Sequence, residues 1–273
     1  MPELPEVETI VRDLGPGLTG RTIRSASLRF DDLLRGITRP ALLRGLRGQT
    51  IHRVFRRAKH AVLDLGTRRL VIQPGMTGVL LHHPAPPTTP DRYEVLRATL
   101  DDDSTFVYRD VRRLGTLLLL DDAGWERYDS ALGPEPLDPA FTPEVLGRAL
   151  ARTRQAIKKA LMDQRVVVGV GNIYANEALF FAGIDPSRPA LSLTGAEVSR
   201  VHRETVRVLL QAIAANGTTL RDYRRGTGET GDFQLELQVY GREGEPCRRC
   251  GTLLAGTHTI DARITVFCWR CQG

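Results

Sequence analysis

Between residues 22 and 120 the apolar positions fall in short runs, at 50–55, 61–65, 70–72, 93–100, 105–108 and 116–120, bounded by Gly, Pro and Asp. Runs this short, with turn residues between them, predict an antiparallel β-sandwich rather than βαβ units. Ahead of them the period changes. Val7, Ile10, Val11 and Leu14 recur at i, i+3, i+4 and i+7, which predicts one helix over residues 3–14 with its stop at Gly15.

The stretch 133–139, Gly-Pro-Glu-Pro-Leu-Asp-Pro, is too rich in proline for either regular element and reads as a linker. Beyond Pro143 the helical period returns. Leu146, Leu150, Ile157 and Leu161 share one face of a helix predicted over 144–162, and a shorter helix follows at 172–181. Between them a glycine turn, Val168-Gly169-Val170-Gly171, leads to Asn172, whose side chain suits a helix cap. A third helix opens on the capping box Thr194 to Glu197 and stops at Asn216-Gly217. Residues 221–232 form a polar loop before an alternating stretch at 233–240. The fold class is therefore α+β: an N-terminal helix with an antiparallel β-sandwich at 1–133, a linker at 134–145, a helical domain at 146–240 and a cysteine-bearing module at 241–273.

Charge divides the chain in the same way. Residues 1–145 carry 20 basic and 20 acidic side chains, whereas 146–273 carry 18 against 12 and so hold the whole net charge of +6. That asymmetry fits a polyanion gripped by the second half, or a well-solvated basic surface. The apolar runs fall far short of the roughly 20 residues a membrane span needs. The acidic, proline-broken N-terminus is the opposite of a secretory signal, so a cytoplasmic, reducing setting is expected.

All four cysteines lie near the C-terminus as two C-x2-C pairs, Cys247/Cys250 and Cys268/Cys271, with 17 residues between them. In a reducing compartment this spacing favours one tetrahedral zinc ion over two disulfides or four unrelated thiols, and four thiolates would close the site to catalysis. The alternating stretch 257–267 can fold back as a hairpin. Arg248, Arg249, Arg263 and Arg270 make the module a display of cations.

At the other end, removal of Met1 would expose the secondary amine of Pro2. An α-amino group near its usual pKa of roughly 8 keeps a neutral fraction that can attack an electrophilic carbon and form an iminium. Glu3 and Glu6 stand beside it as proton donors. The same residues also suit a plain helix start. While Met1 remains, the Pro2 nitrogen is an amide and this chemistry is closed.

Pro2-Glu3-Leu4-Pro5-Glu6, Arg57-Ala58-Lys59-His60, Gly75-Met76-Thr77-Gly78, Asp110-Val111-Arg112-Arg113-Leu114-Gly115, the Gly133 to Leu137 stretch, Gly169-Val170-Gly171-Asn172 and the two cysteine pairs appear in this order. Together they resemble the bacterial formamidopyrimidine-DNA glycosylase family over essentially the whole chain. The resemblance implies a β-sandwich, a helix-two-turn-helix domain and a zinc hairpin, with damaged double-stranded DNA as partner and a monomeric, nucleoid-associated protein. It also implies excision of oxidised purines followed by β,δ-elimination, with no redox cofactor.

Carried over by position, Pro2 is the nucleophile on C1′ and Glu3 the acid at the opening sugar. Lys59 is the catalytic, phosphate-binding lysine, and Arg263 holds the phosphates and serves δ-elimination. Met76, Arg112 and Leu114 fill the void left by the flipped nucleotide, Asn172 faces a phosphate, and Gln73, Arg92 and Arg154 contact DNA. With 35 Arg and only 3 Lys in the chain, a lysine at position 59 marks a place for a compact, titratable ammonium. The chain departs from the family pattern at Leu114 (often Phe), at Gln73 and Arg92 (often His) and at Arg154 (Lys). The related group acting on oxidised pyrimidines is the alternative; Leu4, where that group tends to have Gly, and the loop 221–232 argue against it. A non-catalytic DNA-binding module would have to lack the nucleophile, yet Pro2, Glu3 and Lys59 are present.

Overall fold

The N-terminal helix α1 (Leu4–Leu18) runs past the expected stop at Gly15 and carries Pro16 inside its last turn. The missing donor of Pro16 falls near the helix end, and Leu18, fully buried, anchors the extra turn, which the Thr19 N–H closes on the Gly15 carbonyl at 3.0 Å. This computed structural model describes residues 1–85, 91–218 and 233–273. The loop expected at 221–232 lies outside the described residues.

By internal contacts the chain forms two units: Met1–Ser130 with the segment that begins at Ala215, and Ala131–Ala214 with the segment that begins at Phe233. After α1 the first unit contains β1 (Ile23–Leu28), α2 (Arg39–Leu46), β2 (Arg53–Arg57), β3 (His60–Asp64), β4 (Arg68–Gln73), β5 (Gly78–His83), β6 (Glu94–Leu100), β7 (Thr105–Asp110), β8 (Thr116–Asp121) and α3 (Asp122–Ser130). The strands make two antiparallel four-stranded sheets, ordered β1-β6-β7-β5 and β2-β3-β4-β8. Their apolar faces share one core with α1, including Val7, Ile10, Leu14, Leu63, Ile72, Leu96 and Phe106.

The hydrophobic pattern does not announce β1, β5, α2 or α3. In β1 only the end residues are buried, so the period-2 signal is missing. Helix α2 holds a proline near its start and Gly45 in its last turn, and α3 buries only Gly124 fully.

In the second unit the single helix expected at 144–162 is two, α4 (Pro143–Leu150) and α5 (Ile157–Met162). Residues 151–156 leave the helix because their backbone finds other partners. Ala156 bridges Pro189, and the Ile157 N–H donates to the Arg188 carbonyl at 2.7 Å. Helix α6 (Asn172–Ala182) is buried on nearly every side and packs against α5 and α7 (Gly195–Ala214). The capping box at α7 forms as expected, and Asn216 and Gly217, both at positive φ, end it.

The alternating stretch 233–240 contains no strand. Phe233–Leu235 is a 3-10 turn, and the Gln238, Val239 and Tyr240 N–H groups all turn onto the Glu177 carboxylate at 2.8–2.9 Å. A short hairpin, β9 (Ala255–Thr257) and β10 (Thr265–Phe267), completes the unit. The proline-rich stretch is fastened here too: Gly133 N–H bonds Gln164 O at 2.8 Å, and Val168 N–H bonds Pro134 O at 3.1 Å.

Candidate functional site

In the first unit Pro2 is buried at the head of α1. Glu3, only 4% exposed, is the N-cap in a capping box with Glu6. Glu6 does a second job that its place in the sequence does not reveal. One carboxylate oxygen accepts the Glu3 N–H at 2.8 Å and the other accepts the Thr218 N–H at 2.8 Å. Gly217 lies close by, since a Cβ there would meet the Glu6 side chain at 3.1 Å. Helix α1 packs on β2 and β3, the two strands that flank Lys59.

Lys59 sits in the two-residue turn between β2 and β3, where Arg57 pairs with His60. It is 6% exposed. Ala58 beside it adopts φ +55°, a left-handed conformation that costs any residue with a Cβ. Arg56 reaches across this turn, donating from Nη1 to the Ala58 carbonyl at 3.0 Å and from Nε to Glu8 of α1 at 3.0 Å. Burial pushes the His60 imidazole down to about 4, so the ring is neutral near pH 7; its Nδ1 is 2.7 Å from the Tyr128 hydroxyl. Gln73 closes β4 opposite Thr116 and hydrogen-bonds with His60.

A second group of expected residues is brought together around Asp110, a fully buried carboxylate at the end of β7. Asp110 Oδ1 accepts from the Thr77 hydroxyl and, at 3.2 Å, from the Arg112 N–H; Oδ2 accepts the Gly115 N–H at 2.9 Å and the Tyr108 hydroxyl at 3.3 Å. These bonds fix the loop 111–115 against the turn 74–77. Gly75, at φ +67°, lies so close to this loop that a Cβ would meet the Gly115 nitrogen at 2.6 Å. The loop and turn together hold Met76 (45% exposed) and Leu114 (52%) out to solvent, and Arg112 Nη1 lies 3.3 Å from Met76 Sδ. Three of the expected DNA-facing residues thus stand on a rigid base. Arg92 is held over the Tyr93 ring, its Cζ 4.6 Å from the centroid.

In the second unit Asn172 does not cap α6 with its side chain. Gly171 occupies the N-cap position, Asn172 is the first helical residue, and its Nδ2 donates to the Ile264 carbonyl at 3.1 Å. The Nζ of Lys158, fully buried, donates to that same carbonyl at 3.1 Å and to Thr265 Oγ1 at 2.7 Å. Asn176 adds a third tie, its Oδ1 accepting the Val266 N–H at 2.8 Å. The start of β10 is thereby bolted to α5 and α6, and the neighbouring Arg263 projects at the hairpin tip with Asp261 Oδ2 at 3.4 Å. Partial burial works against the Asp261 carboxylate, but the Arg263 N–H and the charges of Arg263 and Lys158 prevail and hold its pKa below the usual value. Arg154 lies exposed in the break between α4 and α5, outside any helix.

The four cysteine sulfurs lie within 4.8 Å of one another, and Cys250 Sγ and Cys268 Sγ are 3.5 Å apart. A tetrahedral Zn–S₄ centre with bonds of about 2.3 Å has sulfur–sulfur edges of about 3.8 Å, so the donor set fits such an ion in size and chemistry. Cys247 and Cys268 are buried in a cluster with Phe180, Val239, Leu254 and Val266. That cluster ties the cysteine module to α6.

The chain matches two family models, the formamidopyrimidine-DNA glycosylase N-terminal domain over residues 1–117 and the formamidopyrimidine-DNA glycosylase H2TH domain over residues 132–224. It is 45% identical over 274 residues to the formamidopyrimidine-DNA glycosylase of Laribacter hongkongensis, covering 100% of each chain. Among solved structures it is similar to the MutM (Fpg) protein of Thermus thermophilus, with 38% identity, a TM-score of 0.88 and 100% and 99% coverage. It also resembles wild-type Lactococcus lactis Fpg (MutM) in complex with DNA containing N7-benzyl-Fapy-dG, with 31% identity, a TM-score of 0.91 and 99% coverage of both chains. The fold and its motifs define a class of DNA glycosylases with an H2TH domain. The chain belongs to the formamidopyrimidine-DNA glycosylase family.

Proposed function

We propose that the chain is a bifunctional DNA glycosylase and AP lyase of base excision repair that removes oxidised purines, 8-oxoguanine and formamidopyrimidines, from double-stranded DNA. The observation that carries the reading is the buried start of α1, where Pro2 lies beside a Glu3 held by Glu6, on a helix that packs on the strands flanking Lys59. Once Met1 is removed, the neutral Pro2 nitrogen attacks C1′ of the damaged nucleotide; the bond to the base breaks with its electron pair going to the base, which gains a proton as the Pro2 nitrogen loses one. Glu3 protonates the sugar oxygen as the ring opens, and the nitrogen lone pair forms the iminium. Loss of the 3′ and then the 5′ phosphate nicks the strand, with Lys59 and Arg263 binding the phosphates. Met76, Arg112 and Leu114 take the space of the everted nucleotide. Asn172 faces a phosphate from the start of α6: one hydrogen of its amide serves the Ile264 carbonyl and the second is the donor offered to the phosphate.

Gln73, Arg92 and Arg154 extend the DNA contacts of their own units. Cys247, Cys250, Cys268 and Cys271 hold one structural zinc, which offsets half the charge of four clustered thiolates and fixes the hairpin that carries Arg263. The protein acts as a monomer.

Borohydride trapping tests the reading. The chain incubated with an 8-oxoguanine:C duplex yields a covalent protein–DNA adduct, and Pro2→Gly abolishes it. Absence of trapping by protein shown by mass to begin at Pro2 refutes the enzyme reading, whereas trapping only on oxidised-pyrimidine duplexes refutes the purine preference.

A further inference from the structure

The turn that presents Lys59 is gripped from one side by α3. We propose that Tyr128 and Asp129, successive residues near the end of that helix, are positioning residues that hold Lys59 in its reactive geometry; this rests on the role given to Lys59 above. The two residues flanking the turn are each taken by one of them. On the β2 side, Arg57 donates from Nε to the Asp129 carboxylate and from Nη2 to the Asp129 carbonyl at 3.4 Å. On the β3 side, His60 Nδ1 meets the Tyr128 hydroxyl at 2.7 Å, and the two rings cross edge-on with centroids 5.8 Å apart. The grip continues along the helix, since Trp125 packs on Tyr128 at 5.4 Å and on Phe55 of β2 at 5.8 Å.

Three features make this arrangement more than a helix resting on a sheet. First, Ala58 at φ +55° holds a conformation that glycine would adopt without cost, so the turn relaxes unless its surroundings over-determine it. Second, the Asp129 side chain is 45% exposed, and an ion pair so open to water adds little to stability. Its two-point geometry on Arg57 fixes an angle rather than supplying binding energy. Third, the neutral His60 ring gives Tyr128 an uncharged partner immediately beside Lys59, so this side of the turn adds no further cation to those of Arg56 and Arg57. Because α3 buries only Gly124 fully, its role in the core is slight. Its first residue, Asp122, pairs with Arg69 of β4 at 2.6 Å, and the bonds of Tyr128 and Asp129 near its end converge on this turn.

The test is a cycle of variants read by single-turnover cleavage of an 8-oxoguanine:C duplex, with the thermal midpoint of each protein measured in parallel. Tyr128→Phe keeps the ring packing and so keeps the fold; Asp129→Ala removes the carboxylate. Each is expected to slow cleavage about tenfold or more in the full chain, as a small displacement of a catalytic group does. Neither slows Lys59→Ala any further, because a positioning residue has nothing left to position. Variants that cut at the parent rate, or that slow Lys59→Ala by the same factor as the parent, overturn the proposal. A parent chain that cuts no lesion overturns the proposed function and the clamp together, whereas a parent that cuts while both clamp variants match it overturns the clamp alone.

Discussion

Each unit organises an irregular segment around one buried carboxylate, but the two put the result to opposite use. Asp110 gathers the Thr77 and Tyr108 hydroxyls and the Arg112 and Gly115 N–H groups, and the loop it fixes turns Leu114 and Met76 outward. Glu177 gathers three successive N–H groups, and the segment it fixes turns Val239 inward, against Cys247 and Cys268. Burial raises the Glu177 pKa, while the same three N–H groups and Arg242 pull it back. One carboxylate therefore stiffens an apolar surface that water would otherwise collapse. The other gives three successive backbone donors one acceptor in place of a strand partner.

The largest effect is expected at Asp110. Asp110→Ala strands several buried donors and should cost about 4 kcal/mol. Amide hydrogen exchange should show the loss of protection confined to the turn 74–77 and the loop 111–115; uniform loss across both units would break the parallel. Glu177→Ala leaves three N–H groups without their acceptor and should cost about 3 kcal/mol. Because Val239 packs on the cysteines, this variant should also give up zinc to a chelator faster than the parent, as followed with a metallochromic dye, while Asp110→Ala does not.

A further effect, smaller per pH unit than either substitution, is the pH dependence that His60 contributes in the first unit. His60 titrates near 6.5 when unfolded and at about 4 when folded, so between these values the unfolded chain binds the extra proton. The His60 contribution is therefore intact above pH 6.5 and is lost as pH falls toward 4, at up to about 1.4 kcal/mol per pH unit. Denaturation midpoints across this window should show the slope in the parent and a shallower one in His60→Gln; equal slopes would assign the dependence elsewhere.

What could be read from the sequence follows from how local its causes are. The start of helix α1, the Thr194 to Glu197 capping box and the close approach of the cysteine pairs depend on neighbours a few positions away and stand where the pattern puts them, whereas α1 runs past Gly15 to Leu18. Asp110 draws Thr77 from 33 residues away and Glu177 draws its partners from about 60, and no period announces such a bond. The break between α4 and α5 has the same origin, since its cause lies at residues 188–189. Of the three lysines, Lys59 and Lys158 are buried and Lys159 is exposed; the hydrophobic pattern reads Lys158 as one more helical surface residue. Tyr128 and Asp129 gave no signal, because a nine-residue helix with almost no buried face looks like a loop.

The bond from the Thr218 N–H to Glu6 spans 212 residues, and it sets an order of assembly. The polypeptide leaves the ribosome N-terminus first, at about 5–20 residues per second, so the residues around Pro2 emerge long before Thr218 does. The whole stretch Ala131–Ala214 is, in connectivity, an insertion within the first unit. A nascent chain can form its β-sandwich early, yet Glu6 stays short of one partner until roughly four-fifths of the protein has been made. Completion of the end that would bear the nucleophile is therefore timed to the near-completion of the chain, and a product truncated before Thr218 carries Pro2, Glu3 and Lys59 without the bond that finishes the setting of Glu6.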